Sequence, residues 1–423
     1  MIEGTALPAS PPALPARSAG PALIALLIFI ATYAVVAIGS APGLRIDRTG
    51  AAVVGAILMV VTGVIAFDDA VKAVDFRTLV LLFGMMVLVA NLRLAGAFAA
   101  LARLVGERVK HPAPLLVAIV LTAGALSALF VNDTICLVFT PIVLDVAAAR
   151  RHRPLPYLLA LATASNIGSV ATITGNPQNM LIGTMSGISF RAFTAALAPV
   201  ALAGLIIDAV IIWTIFRRDL HPMSTDDVQL PILRTHRAVL MKSLTVAAGM
   251  LTGFLAGWDT ALVAAGGAAV LLVTRRVKPR KIYSAIDWDL LMLFAGLFVV
   301  VGAAERAGID RRIFDALAPL GVRTIAGFSA TAAILSNIVS NVPAVMLFTR
   351  LVPKLPDPAH AWLTLAMAST LAGNLTVLGS IANLIVVESA RRRGVEVKFW
   401  EYARVGVPVT LLTIAFGVWW MAT

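Results

Sequence analysis

The sequence predicts an all-α polytopic membrane protein made of two inverted-topology repeats. Each repeat holds a re-entrant hairpin and a broken transmembrane helix, giving about ten spans of bilayer-crossing length. Three observations carry this expectation. Apolar runs of about 17 to 25 residues recur along the chain, which is the length that crosses a bilayer. The series of runs occurs twice. The basic residues gather in short clusters between the runs. The 423 residues are 60% hydrophobic and 13% charged, with a mean hydropathy of +0.93; a soluble domain is about a quarter charged. The net charge of +12 therefore reads as a set of topology signals rather than a nucleic-acid surface. The single cysteine, Cys136, excludes an intramolecular disulfide and a cysteine metal cage.

In chain order, residues 1–20 are rich in Pro and Ala without a basic leader, and are expected to form a disordered tail rather than a cleaved signal. Pro21–Ile38, Ala51–Phe67 and Phe76–Leu92 are the first three spans. Ala97–Val109 carries Arg103, Glu107 and Arg108 on an apolar helix and is expected to lie along the interface. Leu115 to Val146 is apolar but interrupted at Asn132-Asp133-Thr134, which suggests a re-entrant hairpin with a polar tip. Pro156 to about Gly183 is the broken span. Gly175 lacks a side chain and Pro177 lacks an amide proton, so the helix should part there. Such a break in hydrocarbon is tolerated where it faces protein or water, and it commonly marks a transport site. Thr194–Phe216 closes the first repeat, 21–216.

A polar linker, 217–237, precedes the second repeat, 238–423. The order then restarts: Ala238–Ala256, Ala261–Thr274, Trp288–Ala304, a hairpin around Asn341, a broken span from Ala361 to Ala390, and Val405–Met421. The duplication is visible in the letters. The segment at Asp75 aligns without gaps to that at Asp287 (287 − 75 = 212), matching Gly84 to Gly296. Ser127 aligns to Ser336 (336 − 127 = 209), matching Asn132 to Asn341. Leu159–Ile182 aligns to Leu363–Val386 (363 − 159 = 204), matching Thr172 to Thr376, Gly175 to Gly379 and Asn179 to Asn383.

The excess of Lys and Arg in cytoplasmic loops orients the halves. Clusters at Arg45/Arg48, Arg103–Lys110, Arg150–Arg153, Arg217/Arg218, Arg275–Lys281 and Arg391–Arg393 all fall on one side if the N-terminus is outside and each half crosses an odd number of times. Asp68, Asp69, Asp75 and Asp259 then mark the outer side. The mixed loop Glu305–Arg323 fits this arrangement least well.

With these elements placed, FVNDTICLVFTPIVL followed by SNIGSVATITGNPQNMLIG resembles the ion-transporter superfamily, in the branch of arsenite permeases, NhaD-type sodium/proton antiporters and citrate or dicarboxylate carriers. The resemblance runs from about Ala51 to the C-terminus. It implies a homodimer with scaffold and transport parts, and a substrate and coupling ion held between hairpin tips and broken helices. In the dicarboxylate carriers each hairpin and break tends to carry Ser-Asn-Thr; here the tips read Asn132-Asp133-Thr134 and Asn341-Val342-Pro343.

The candidate substrate- and ion-binding residues are Asn132, Asp133 and Thr134 at the first tip; Thr172, Thr174, Gly175, Asn176 and Asn179 at the first break; Asn341 at the second tip; and Thr376, Gly379, Ser380 and Asn383 at the second break. A carboxylate within the membrane is costly and usually functional. Asp133 is thus read as a proton carrier or as part of a Na+ site with Asn132 and Gly175, against the plainer role of a helix cap. Thr and Asn at the breaks either contact ligand or repair the freed backbone. Asp208 is expected to make a buried structural hydrogen bond, a second proton site being the alternative. Cys136 is expected to pack as a small residue. The histidines show no metal-ligand spacing, and no cofactor is called for beyond H+ or Na+. Without a Gly-x-x-x-x-Gly-Lys sequence the chain does not hydrolyse ATP, so any such activity would come from a separate ATPase subunit.

The expectation is an ion-coupled secondary transporter of small anions or oxyanions in the inner (plasma) membrane, surrounded by lipid, with arsenite or antimonite efflux the best single choice. A sodium/proton antiporter and a citrate-like carrier are the alternatives. No nucleophile, base and metal constellation supports an enzyme. The topology is testable with single cysteines in a Cys136→Ala background: a cysteine placed in 217–237 should resist an impermeant thiol reagent in intact cells and react after permeabilisation. Labelling of that linker in intact cells would reject the orientation.

Overall fold

The computed structural model describes residues 19–40, 43–220, 235–273 and 277–423. Among them the regular structure is helical, apart from one isolated bridge between Ser40 and Asp47. The first half runs α1 (Ala19–Ile38), α2 (Arg48–Val61), α3 (Phe67–Ala73), α4 (Phe76–Leu94), α5 (Ala97–Arg108), α6 (Pro112–Leu129), α7 (Asn132–Ala149), α8 (Leu155–Ser169), α9 (Pro177–Ser186) and α10 (Phe190–Phe216). The second half runs α11 (Arg237–Leu255), α12 (Thr260–Leu272), α13 (Pro279–Tyr283), α14 (Trp288–Arg306), α15 (Ile309–Leu317), α16 (Ile325–Val339), α17 (Asn341–Phe348), α18 (Pro358–Ala372), α19 (Ile381–Arg391) and α20 (Phe399–Ala422). Each helix of the first series has a counterpart at the same place in the second.

By length and composition, 7 described helices could cross a membrane, or 8 if the pair bent by 119° at residues 320–325 is one span. The expectation of about ten differs because α1, α2 and α12 fall short in apolar length and α8–α9 and α18–α19 are interrupted, whereas α6 and α7, expected as the arms of a re-entrant hairpin, are each long enough to cross. The expected tail to residue 20 is shorter, since α1 starts at Ala19; residues 1–18 lie outside the described residues, as do 221–234 of the linker and the cluster residues Arg275 and Arg276. The span expected to reach Phe67 ends at Val61, where Gly63 at φ 72° turns the chain. That conformation is cheap only for glycine. Phe67 instead opens α3. The first hairpin turns at Phe130-Val131, so Asn132 is already the first residue of α7.

Packing explains why these helices hold together in an apolar surrounding. Helix α8 has 15 residues and every one is buried; it is the centre of the molecule. Outer helices expose Leu23, Leu27, Leu202, Ile206, Leu262 and Leu411, which suits hydrocarbon as the solvent. Between apolar helices in lipid, close approach of small residues supplies the attraction. Helix α6 crosses α8 at Gly124 and Gly168, where a Cβ on Gly168 would fall 2.1 Å from the Gly124 carbonyl oxygen. Helix α4 crosses α12 where a Cβ on Gly84 would lie 2.6 Å from the Ala264 carbonyl oxygen, and α14 crosses α2 where one on Gly296 would lie 2.7 Å from that of Ala52. The two crossings are mates in the internal alignment, since 84 + 212 = 296 and 52 + 212 = 264.

The charged ends of the helices pair in two sets. Asp69 binds Arg306 at 2.6 Å, Asp310 binds Lys354 at 2.5 Å, and Asp259 pairs with Arg77. Asp219 binds Arg153 at 3.1 Å, and Asp145 binds Arg393 at 2.5 Å. Arg150 is 2% exposed and donates to the Gly106 carbonyl at 2.6 Å and to that of Val109. One arginine of the 150–153 cluster thus ties the end of α7 to the end of α5. Burial beside Arg150 holds the His152 imidazole below its ordinary range.

The helix crossings yield a test. Gly84→Val places a side chain against backbone that cannot yield, at a cost of about 1–3 kcal/mol or more. It should lower the melting temperature of the detergent-solubilised protein well below that of Gly266→Val, whose Cβ position is open. Equal melting of the two variants would refute the crossing.

Candidate functional site

The two breaks are built alike. After α8 the chain is extended at Thr172, makes one 3-10 turn at Ile173–Gly175, and re-enters helix at Pro177. After α18 it is extended at Thr376, turns at Val377–Gly379, and re-enters at Ile381. Proline suits the first helical position because the amide there has no intrahelical partner. Asn176 caps α9, its Oδ1 accepting from the Asn179 amide at 2.8 Å, and Ser380 caps α19. A helix break strands backbone carbonyls, and a buried orphan costs about 1–3 kcal/mol. Asn179 Nδ2 answers two of them, donating to Ser169 O at 3.0 Å and Thr172 O at 3.1 Å. Asn383 Nδ2 does the same for Gly373 O at 2.7 Å and Thr376 O at 3.1 Å. All three positions are alignment mates: 179 + 204 = 383, 169 + 204 = 373 and 172 + 204 = 376. Gly175 has no room for a side chain, since a Cβ would stand 2.2 Å from Ser169 O. Gly379 is crowded by Gly373 O and by Asn337 Oδ1, 2.8 and 3.0 Å from the same point.

The halves then reach across to each other. Asn166 Oδ1 accepts from Asn132 Nδ2 at 2.9 Å and from Ser380 Oγ at 3.0 Å. Asn166 Nδ2 donates to Asn374 Oδ1 at 2.8 Å and Asn383 Oδ1 at 3.0 Å. In return, Thr370 Oγ1 accepts from Asn176 Nδ2 and Gln178 Nε2, both at 3.2 Å. The bonds Asn166–Ser380 and Thr370–Asn176 are also mates, because 166 + 204 = 370 and 176 + 204 = 380. Four amide oxygens in this region, on Asn132, Asn179, Asn337 and Asn341, are buried without a donor. The segments 127–144, 155–186, 336–348 and 361–387 contain no Lys or Arg. These segments therefore bring no cation to the site, and the charge near it is acidic, Asp133 with Asp287 within electrostatic reach. The site offers amide oxygens, amide protons and hydroxyls.

The sequence-derived residues separate into groups. Asn132, Asn176, Asn179, Ser380 and Asn383 join the network. Thr172 and Thr174 do not turn toward it: their hydroxyls donate to the Ala128 carbonyl and, at 3.5 Å, to that of Leu129, repairing the end of α6. Thr376 contributes its backbone carbonyl. Asn341 is half-buried, with its Nδ2 close to Gly373. Thr134 and Asp133 are half-buried in the first turn of α7. Asp133 is not the helix cap considered above. The cap position is Val131, and no side chain caps α7. An acid in the first turn is instead favoured by the helix dipole. Of the residues read as a Na+ triad, Asn132 bonds Asn166 through Nδ2 and keeps its Oδ1 without a donor, while Gly175 packs on Ser169.

Sequence reasoning passed over Asn166, Thr370, Asn374 and Asn337. A usable signal existed for the first two. They are polar residues within apolar helices and fall opposite each other in the internal alignment, a pattern that marks function in membranes. Asn374 aligns with Val170 (170 + 204 = 374), so nothing in the repeat singles it out. Cys136 packs as expected, its Sγ 3.0 Å from Ser165 Oγ.

A bundle of apolar helices centred on two interrupted helices and an amide network defines the class: a multi-pass membrane transporter, not an enzyme. The sequence model of the citrate transporter family matches residues 24–372, and the chain belongs to that family, within the ion-transporter superfamily. It is 34% identical to a silicon efflux transporter of rice over 90% of this chain and 93% of that one. It is 30% identical to a 46 kDa membrane protein of Mycobacterium leprae, covering 93% and 97%, and 26% identical to a putative transporter arsB of Dictyostelium discoideum, covering 89% and 87%. The crystal structure of the YdaH transporter of Alcanivorax borkumensis shares the fold, with a TM-score of 0.57 at 16% identity over 95% of this chain and 97% of that one.

Asn166 is the hub of the network. Asn166→Ala leaves Asn132 Nδ2 and Ser380 Oγ without acceptors, at about 1–3 kcal/mol each. It should lower the melting temperature and abolish substrate exchange, whereas Asn91→Ala should spare exchange, because Asn91 bonds only within its own helix to Val87 O at 2.8 Å. Wild-type exchange by Asn166→Ala would remove the network from the site.

Proposed function

We propose that this protein is an ion-coupled secondary transporter that exports a small oxyanion-forming acid across the inner (plasma) membrane, arsenite or antimonite being the substrates that fit best. The observation that carries this reading is the convergence of both breaks and the first hairpin tip on one network free of Lys and Arg. Arsenite, antimonite and silicic acid are, near neutral pH, small uncharged hydroxides. Their hydroxyl groups can exchange hydrogen bonds with Asn132, Asn166, Ser380 and the unpartnered amide oxygens. A multiply charged carboxylate such as citrate would need cationic partners in so dry a place. The rice relative's name, silicon efflux transporter, agrees with a hydroxide substrate and with the outward direction.

In this reading residues 21–216 and 238–423 are inverted repeats joined by a cytoplasmic linker, 217–237, with both termini outside and about ten crossings counting each broken helix as one span. The two sets of ion pairs support it: Asp69–Arg306 and Asp259–Arg77 join segments assigned outside, while Asp219–Arg153 and Asp145–Arg393 join segments assigned inside. The protein works as a homodimer, through an apolar face such as that around Trp258 and Leu262. The coupling ion, H+ or Na+, enters at the first hairpin tip, where Asp133 supplies charge and Asn132 Oδ1 lacks a donor.

Proteoliposomes loaded with arsenite test the substrate. Arsenite, antimonite and silicic acid outside should each drive exchange, and citrate should not compete. Preferential competition by citrate, or Na+/H+ exchange without any metalloid, would replace this reading with one of the alternatives. Asp133→Asn tests the ion. If Asp133 binds Na+, the variant loses Na+ dependence together with exchange; if it carries a proton, exchange persists while accumulation against a gradient is lost. Wild-type pH and Na+ profiles in this variant would remove Asp133 from coupling.

A further inference from the structure

Asp208 stands inside α10, 0% exposed, and neither of its carboxylate oxygens has a hydrogen-bond partner. The hydroxyl placed to make the structural hydrogen bond expected of it is that of Thr163, which stands beside it and donates to the Leu159 carbonyl at 2.8 Å. The groups on the surrounding helices do not neutralise it. Helix α6 carries no titratable side chain. On α8 there is only Tyr157, whose hydroxyl meets His152 Nδ1 at 3.2 Å at the far end. On α18 there is only His360, held by Asp357 at 2.6 Å in the exposed first turn. On α11 Lys242 donates to Val273 O at 2.6 Å and Arg237 is exposed. On α20 Arg404 is exposed and Glu401 accepts from the Lys398 amide at 3.1 Å. The one titratable group of α20 that faces Asp208 is Tyr402, which is 1% exposed with its own hydroxyl unpartnered. An ionised carboxylate enclosed with only neutral hydroxyls beside it and no counter-charge is strongly disfavoured. The neutral acid is the form such a site accommodates, and a lone intramembrane acid of this kind is characteristic of proton relays.

Two routes run from Asp208 to the amide network. Tyr402 lies beside both Asp208 and Asn383, and Asn383 Oδ1 accepts from Asn166 at 3.0 Å. Thr163 also faces Asp208. Its hydroxyl donates to Leu159 O at 2.8 Å, and its carbonyl accepts from Asn374 Nδ2 at 3.2 Å. Asn374 in turn accepts from Asn166 at 2.8 Å.

We propose that Asp208 is a proton-carrying site, separate from Asp133, that holds one proton in this arrangement and is linked to the amide network through Tyr402 and Thr163. The carboxyl group takes its proton from water on one side and returns it to water on the other, and no other bond changes. Its role in coupling rests on the transporter reading; its protonation does not.

Infrared titration of the purified full-length protein tests the protonation. The wild type should show a carboxylic acid carbonyl band that persists at neutral pH, is lost in Asp208→Asn and is shifted in Asp208→Glu. In proteoliposomes Asp208→Asn should retain arsenite counterflow and lose accumulation driven by a pH gradient. A band unchanged in Asp208→Asn, or wild-type pH-driven accumulation by that variant, overturns the proposal. Should Asp208→Asn not fold, an unshifted band in Asp208→Glu overturns it equally. If the wild type exchanges no metalloid hydroxide, the substrate reading fails, while the infrared result still decides Asp208.

Discussion

A helix that stops inside an apolar assembly leaves carbonyl groups with no water to bond, and the rest of this molecule is arranged around that constraint. Both breaks meet it in the same way. An asparagine in the second half-helix returns its amide to the carbonyl ten residues before it, at the end of the first half-helix, and to the carbonyl of the extended residue, at Ser169 and Thr172 in one case and Gly373 and Thr376 in the other. This arrangement needs Gly175 and Gly379, because a side chain at either would strike the carbonyl that precedes the break. It also needs α8 to be wholly enclosed, since lipid could not satisfy any group left over.

The repaired breaks are joined by bonds that differ in kind from the helix crossings around them. Where Gly84 meets Ala264 and Gly296 meets Ala52, backbone touches backbone and there is no slack. At the centre the halves are joined by neutral hydrogen bonds, Asn166 to Ser380 and Asn176 to Thr370. Each such bond contributes only about 1 kcal/mol net, because an alternative partner of equal quality replaces it at little cost. The hydroxylated substrate proposed above would be such a partner. Rigid seams outside and exchangeable bonds inside are what a transporter needs in order to open on one side of a fixed centre and then on the other.

Charge serves more than one purpose here. The basic clusters read as orientation signals, yet the side chains also hold the ends of the fold together. Arg150 is the clearest case, buried against the carbonyls of Gly106 and Val109. Arg393 reaches Asp145 from the other half of the chain. Inside the membrane the economy is reversed. Asp133 is half-buried near the start of a helix, where the dipole favours it, while Asp208 is enclosed without a partner.

The sequence by itself determined the class, the duplication and the position of both breaks. Apolar length is imposed by bilayer thickness, and Pro177 and Gly175 act on their own backbone, so these features need no knowledge of distant neighbours. The letters also pointed to Asn132, Asn176, Asn179, Ser380 and Asn383, because amides at a break have few other uses. Only the tertiary structure decided which of them meet. Thr172 and Thr174 look like ligands from their spacing, yet they face the end of α6. Asn166 looks like one polar residue in an apolar helix, yet it joins the first hairpin tip to the second break. The same holds for Asp208, whose lack of a partner depends on what α8 and α20 bring against it. Local backbone chemistry is written within a few residues, whereas the partner of a side chain is set by packing between segments some two hundred residues apart.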